Sequence, residues 1–511
     1  VSAAFEIWRE LYHMAYVLGL DAGSSVVKAA CFDTEGRMLS VASRRTPLIR
    51  PGDGRVEADP ELCWQATCAV LREATEQSGV APGEIIGLGL TAAVVGLWLL
   101  DEDGEPLGPG INWEDSRSQP MLQRMIAERP GLMSEIFASS GSVMQQGCTL
   151  PLLASLAQDA PERVARARAA VSYKDFLRAR LTGRIAIDRT EAAVAPGDAR
   201  AQAASADMRR LFGLEDLAHL FPDARDSSEE AGRLTAQAAA VTGLPEGLPV
   251  AVGCGDVPAT VIGAGGLAPG SATAVLGTTC MLGRVSDVPV FTPPDLGLLF
   301  SLPGGTWYRA MVNVAGTLNL DWAMQLLAPD LVAADDGFAR LNDEIAAVPI
   351  GARGVSYLPY LSESGIIAPV ADPAARAQFA GLAPVHGRAE MLRAVFEGVT
   401  FAIADLATAL DLAPDAPVTL TGGGSNSRLW CEMIAEVLGR EIAVPEGSEF
   451  GARGAAMLAA VMAGAHPDIA TASLGLKRLG ARVHQPTGAD TPAWDAARDT
   501  FAMRRDRLLR G

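Results

Sequence analysis

Residues Val250–Gly283 read VAVGCGDVPATVIGAGGLAPGSATAVLGTTCMLG, with one carboxylate, Asp256, among glycines and small apolar residues. Val250-Ala251-Val252 has the apolar run of a short buried strand. Gly253 and Gly255 then permit a sharp turn and close backbone approach, which puts Asp256 at a strand end facing a cleft. Val257–Leu267 fits a tightly packed helix. Gly270–Gly283 predicts a hairpin, with apolar runs Ala272–Leu276 and Cys280–Leu282 around Gly277-Thr278-Thr279. A glycine turn followed by two hydroxyl residues offers backbone N–H groups and side-chain donors to a phosphate. An aspartate after a strand is also an ordinary helix cap, so the assignment depends on the rest of the chain.

Two further stretches have the same character. Near the start, Tyr16–Leu20 predicts a strand ending at Asp21, Ala22-Gly23-Ser24-Ser25 a turn, and Val26–Phe32 an antiparallel return bearing Lys28, with a third strand over Met38–Ser43. No GxxxxGK[ST] occurs, and a strand rather than a helix follows the turn, which excludes the P-loop and dinucleotide-binding fingerprints. Late in the chain, Pro417–Thr421 predicts a strand, Gly422-Gly423-Gly424-Ser425-Asn426 a loop, and a helix begins near Ser427. A strand, glycine loop and helix N-terminus form a ledge suited to a nucleotide. Ile111–Arg117 groups Trp113, Glu114, Asp115 and Arg117 at a strand end, an aromatic face and charged groups of the kind a sugar site uses. Asp59-Pro60 predicts the start of a helix presenting Leu62, Ala66, Ala69, Val70 and Ala74. Residues 120–245 read as mainly helical, with no chemistry beyond Asp115 and Arg117.

The 511 residues exceed what one core supports. A net charge of −18 excludes a general binder of nucleic acid or anionic membrane. Seven cysteines without CxxC spacing predict reduced core thiols in a cytoplasmic protein. Five scattered histidines form no transition-metal pattern, and no apolar run reaches the ~18 residues of a membrane span.

The three loops occur in the order DAGSS, GSATAVLGTT, TGGGSN, and each half leads a strand into an Asp. Together they resemble the FGGY family of carbohydrate kinases. LGLDAGSSVVKAACFD is similar to the family's first phosphate motif, with Ser24 and Ser25 where Thr is usual. GCGDVPATVIGAG is similar to the catalytic-Asp motif, GSATAVLGTTCML to the second phosphate motif, and LTGGGSNSRLWCEMIAEVLGREIAVP to the adenosine motif. The resemblance implies an α/β fold of two ribonuclease-H-like (actin-like ATPase) domains with a catalytic cleft between them. It implies domains at 16–247 and 248–482, flanked by an N-terminal extension over 1–15 and a helical tail over 483–511.

The resemblance also implies ATP and Mg²⁺ as cofactors and Asp256 as general base. Asp21 and Asp256 would lie near Mg²⁺ through water. Asp21, Gly23, Ser24, Ser25, Lys28, Gly277, Thr278 and Thr279 would surround the phosphates, and Gly316, Gly423, Gly424, Ser425 and Asn426 the adenosine. Trp113, Glu114, Asp115, Arg117, Val95 and Asp256 would contact the acceptor. Expected partners are a small sugar or polyol, no nucleic acid and no membrane, with a homodimer as an allowed assembly. Xylulokinases carry TAQMHG where this chain has Thr91–Gly96 as TAAVVG, and the Asp-Val pair at Asp256-Val257 looks like the erythritol and L-xylulose kinase branch. The expected acceptors, in order, are a ketopentose such as xylulose or L-xylulose, a four- or five-carbon polyol, and ribulose. Outside this class stand a non-catalytic actin-like ATPase switch and a dinucleotide oxidoreductase.

Overall fold

The computed structural model describes residues 15–313, 315–362, 365–372, 374–413 and 415–509. Except for Ala15, the expected N-terminal extension lies outside the described residues.

Two seven-stranded sheets share a core strand order and differ at their edges. In the first, Tyr16–Ala22, Val26–Asp33 and Met38–Arg45 form an antiparallel meander. On the other side of Tyr16–Ala22 the parallel strand Ile85–Ala92 pairs in turn with Pro249–Ala251 and Cys254–Gly255. Glu230–Arg233 closes that edge. In the second sheet Ala272–Leu276, Cys280–Ser286, Thr306–Asn313 and Leu298–Leu302 repeat the meander. Val418–Thr421 and Ile442–Pro445 follow in parallel, and Ala481–His484 forms the edge. Each half thus has the expected ribonuclease-H-like order. Central strands buried on both faces read as continuous apolar runs, which is why Ile85–Leu90 and Ala272–Leu276 are legible as strands.

The change of sheet does not fall at residue 247. Val250 pairs with Leu88, and Val250, Ala251 and Val252 are fully buried, so this strand completes the first sheet. The Gly/Pro segment before it is a loop after helix Ala236–Thr242, with Gly243 as its left-handed cap. The second sheet begins at Ala272.

Helix Asp256–Gly263 runs on from the first sheet and crosses helix Phe450–Met462 of the second half. A Cβ at Gly454 would lie 1.9 Å from the carbonyl oxygen of Ala259, and one at Gly263 2.0 Å from that of Phe450. Helix Phe450–Met462 also lies directly on the first sheet, since a Cβ at Gly19 would stand 1.8 Å from the Ala452 oxygen. Only residues without side chains allow such backbone-to-backbone contact. The two halves therefore meet through glycine-backed helices, with the strand ends at Asp21 and Asp256 above the crossing. The C-terminal helix Thr491–Leu509 docks on the second half through buried Trp494 and Phe501, both packed against Phe401.

Candidate active site

Asp256 is the first residue of its helix, and Gly255, not Asp256, is the cap. Its chain enters through Gly253, held at φ +81°, where a Cβ would meet the Leu90 carbonyl oxygen at 2.2 Å. The Asp256 Oδ1 accepts the Val257 N–H at 2.8 Å, and the Val94 backbone amide nearby also favours the charged carboxylate. Burial pushes the carboxyl up to about 6 despite these donors. Asp21 lies near enough to be influenced by it. Burial, Asp256 and Glu449 raise Asp21 to about 7, while Lys28 opposes them.

Asp21 also faces the start of helix Phe450–Met462, since a Cβ on Gly451 would come within 2.4 Å of its Oδ2. Lys28 sits opposite Asp21 across the first hairpin and pairs with Glu449 at 2.8 Å. Glu449 holds a left-handed conformation at φ +55°. Sequence reading missed this residue, because its meaning depends on the 421-residue separation from Lys28.

The second hairpin turns at Gly277-Thr278-Thr279 as expected, with both threonines exposed. Gly316 N–H donates to the Thr278 oxygen at 2.7 Å, and Thr317 N–H to the Gly277 oxygen at 2.7 Å. Gly422 lies on the Leu276 carbonyl, where a Cβ would stand 2.5 Å away. The hairpin, the Gly316 turn and the 3₁₀ turn Gly423–Asn426 therefore share one surface. On the turn, Gly423 and Asn426 are exposed and Gly424 and Ser425 buried, with Ser425 Oγ donating to the Gly422 oxygen.

The sequence of residues 16–263 matches the FGGY family of carbohydrate kinases, N-terminal domain, and residues 272–463 match its C-terminal domain. The chain belongs to the FGGY family of carbohydrate kinases. It is 32% identical over 467 residues to the erythritol kinase of Brucella abortus, covering 88% of each chain. It is 31% identical to the xylulose kinase of Bacillus subtilis, over 88% of this chain and 89% of that one. Among solved structures, a xyloylose kinase from Brucella ovis superposes with a TM-score of 0.84 at 31% identity, over 97% and 99% of the two chains. Glycerol kinase from Plasmodium falciparum with ADP shares the fold, at a TM-score of 0.85 and 17% identity, over 97% and 98%. The protein is thus a two-domain α/β carbohydrate kinase, a phosphotransferase with an alcohol acceptor, and FGGY kinases use ATP.

On the kinase's acceptor side the structure separates the four polar candidates. Trp113 is 39% exposed, and its Nε1 donates to Ser24 Oγ at 2.8 Å, tying the aromatic face to the turn of the first hairpin. Ser25, beside it, is exposed. Glu114 pairs with Arg50 at 2.5 Å. Asp115 is fully buried. It accepts Val56 N–H at 2.7 Å through Oδ2, and is gripped by Arg117 Nε at 2.8 Å and Nη2 at 2.8 Å. Arg117 also reaches Glu57 at 2.6 Å. Asp115 is therefore spent on holding the loop, its oxygens taken by Arg117 and the Val56 N–H, while Arg117 is held by Asp115 and Glu57. This turns the Asp115 carboxylate away from the expected role of sugar ligand: a strand-end cluster of charges gives no direction, and a bidentate Arg–carboxylate pair satisfies itself.

Ala93, Val94 and Val95 form an apolar wall beside Asp256, with Val94 packed on Gly255 and Val95 at φ +60°. Among the described residues no group of three or more His, Cys, Asp or Glu could hold a metal. The Asp21 and Asp256 carboxylates, near enough for Asp256 to raise Asp21, still fit a Mg²⁺ that keeps its waters and takes its remaining ligands from phosphate. All seven cysteines are buried and unpaired, and no helix among the described residues is long and apolar enough to cross a membrane.

Proposed function

We propose that this kinase transfers the γ-phosphoryl group of ATP to a primary hydroxyl of a small ketose or polyol, with Asp256 as general base. The observation that supports this most is the Asp256 carboxylate itself, at the start of a helix after a strand end, hydrogen-bonded by the Val257 N–H and lifted toward neutral pH by burial. A base with a value near the working pH takes a proton most effectively. Its carboxylate accepts the hydroxyl proton as the acceptor oxygen attacks the γ-phosphorus, and ADP leaves. Thr278, Thr279 and the hairpin N–H groups are placed to bind the β- and γ-phosphates, and Ser24 and Ser25 to bind from the opposite hairpin. Gly316 and Gly423–Asn426 are assigned to the adenosine. Mg²⁺, when bound, neutralises charge on the phosphates, and Asp21 and Asp256 would hold it through water.

With Asp115 and Arg117 engaged, recognition falls to Trp113, Asp256 and backbone groups around the Ala93–Val95 wall. An apolar wall penalises a hydroxyl aimed at it by ~1–3 kcal/mol and cannot reject an analogue lacking one. One face of the acceptor therefore carries no hydroxyl or is read weakly. L-xylulose or another ketopentose is our first assignment and a four- or five-carbon polyol the second. The likeness to erythritol kinase of Brucella abortus and to a probable L-xylulose kinase of Pasteurella multocida supports that choice. A coupled ADP assay over ketoses and polyols tests it. D-xylulose should not have the highest kcat/KM, and a tenfold lead for D-xylulose would overturn this reading of the wall.

A further inference from the structure

Beneath the catalytic loop lies a buried set of charges that phosphoryl transfer does not use directly. Lys174, Asp175, Arg178, Asp188 and Glu191 are all buried. Lys174 Nζ contacts Asp175 and lies 2.9 Å from Asp188 Oδ1. Arg178 Nη1 bonds Asp175 Oδ1 at 2.9 Å and also donates to the Val252 carbonyl at 2.6 Å, in the segment leading to Asp256. Two cations and two aspartates balance, and Glu191 is the fifth member.

Two connections run from this set to the catalytic base. Asp188 Oδ2 accepts from Thr190 N at 2.8 Å and Thr190 Oγ1 at 2.5 Å, with Ser227 Oγ at 3.3 Å. While its O–H donates to Asp188, Thr190 Oγ1 accepts the Gly255 N–H at 3.0 Å, one residue before Asp256. The next residue, Glu191, accepts the Val95 N–H at 2.8 Å through Oε1. Val95 follows Val94, whose side chain packs on Gly255 and whose backbone amide favours the charged Asp256 carboxylate. A β-branched residue at φ +60° is strained and persists only where its surroundings hold it.

We propose that Thr190 and Glu191 are positioning residues for the phosphoryl transfer, fixing Asp256 from two sides through the N–H groups of Gly255 and Val95. Thr190 sets where the base leaves its strand, and Glu191 sets the loop that both packs beside the base and walls the acceptor. Both side chains are buried and act only through the backbone they hold. Burial, Asp175 and Asp188 push Glu191 up to about 8 against the pull of Lys174, so at neutral pH it accepts the Val95 N–H as a neutral carboxyl. Glutamine reproduces that acceptor and that charge. The inference rests on the proposed role of Asp256.

The test uses the full chain and four variants: Thr190→Val, Thr190→Ser, Glu191→Ala and Glu191→Gln. A small misplacement of a reacting group costs up to roughly 100-fold. Thr190→Val should lower kcat at least tenfold with KM for ATP unchanged, and Thr190→Ser should restore most of it. Glu191→Ala should also raise KM for the acceptor, and Glu191→Gln should recover both. Hydrogen–deuterium exchange on the same samples needs no substrate. Thr190→Val should speed exchange at Cys254–Val257, and Glu191→Ala at Ala93–Gly96. The proposal is overturned if kcat stays within twofold in Thr190→Val, if serine fails to rescue, if ATP affinity falls in step with kcat, or if exchange at both segments is unchanged. Should Thr190→Val fail to fold, the Glu191 pair decides alone. A wild-type protein with no acceptor-dependent turnover refutes the proposed reaction, and the exchange result then still judges the positioning.

Discussion

Asp256 carries two opposed consequences of one environment. Its burial lifts the carboxyl to about 6, so the free enzyme should lose kcat/KM as pH falls through about 6, because a protonated carboxyl cannot take a proton. A pH–rate profile with an acid limb nearer the ordinary value of 3.8 would contradict that environment. Stability runs the other way. The folded value lies above the unfolded one, so the contribution from this site is full below pH 3.8 and lost as pH rises through about 6. Asp256→Asn should therefore raise the melting midpoint by on the order of a few degrees at pH 8 and leave it unchanged at pH 4; equal shifts at both pH values would argue against a charge effect. Asp115 makes the contrasting case. Removing it in Asp115→Ala leaves Arg117 with Glu57 alone and the Val56 N–H unpaired, so stability should fall by about 3 kcal/mol. An acceptor KM that rises while the melting midpoint holds would restore its role as a ligand. Asp256 was legible as the lone acid in a glycine-rich stretch. Asp115 was misread because composition cannot say which way a carboxylate points.

At the scale of elements, the hairpin Ala272–Leu276 to Cys280–Ser286 is the part of the site that sequence alone located most closely. Alternating apolar runs around a glycine turn have few other solutions. A Cβ at Gly277 would meet only the Thr279 oxygen, at 3.8 Å. Gly277→Val should therefore fold with a near wild-type melting midpoint, fill the phosphate space and abolish turnover. Normal ATP binding by the folded variant would show that the hairpin does not hold the phosphates. Other elements were less legible. Helix Pro60–Ser78 was located correctly with its Asp59 cap, yet it buries Cys63, Trp64, Thr67, Cys68 and Leu71 and leaves Leu62 exposed. The face read from Leu62, Ala66, Ala69, Val70 and Ala74 was right at Val70 and Ala74, which are buried, and wrong at Leu62 and Ala69, which are exposed, because small residues mark an apolar stripe poorly. Lys174, Asp188 and Glu191 lay in a region read as chemically silent. Charged residues in helical surroundings look like a solvated surface until tertiary packing buries them.

The whole molecule is two halves joined at a crossing of glycine-backed helices. This is also where the sequence misled most about organisation. The boundary expected at residue 247 falls one strand too early: the strand after it belongs to the first sheet, because strand order in a sheet is a long-range property no local pattern encodes. Gly454→Val places a side chain where the Ala259 carbonyl already stands at 1.9 Å. It should cost stability by about 3 kcal/mol or more and disturb Asp256, which begins the helix on the other side of that contact. A soluble Gly454→Val protein with wild-type melting and turnover would show that the crossing is not tight. The most direct measurement is ADP release by the wild type and by Asp256→Asn, with and without small ketoses and polyols. Wild-type release should depend on one such acceptor, and Asp256→Asn should lower kcat by roughly 10²–10⁴ with KM for ATP little changed. ADP release indifferent to every acceptor, or an Asp256→Asn enzyme with near-full turnover, would contradict the proposed reaction.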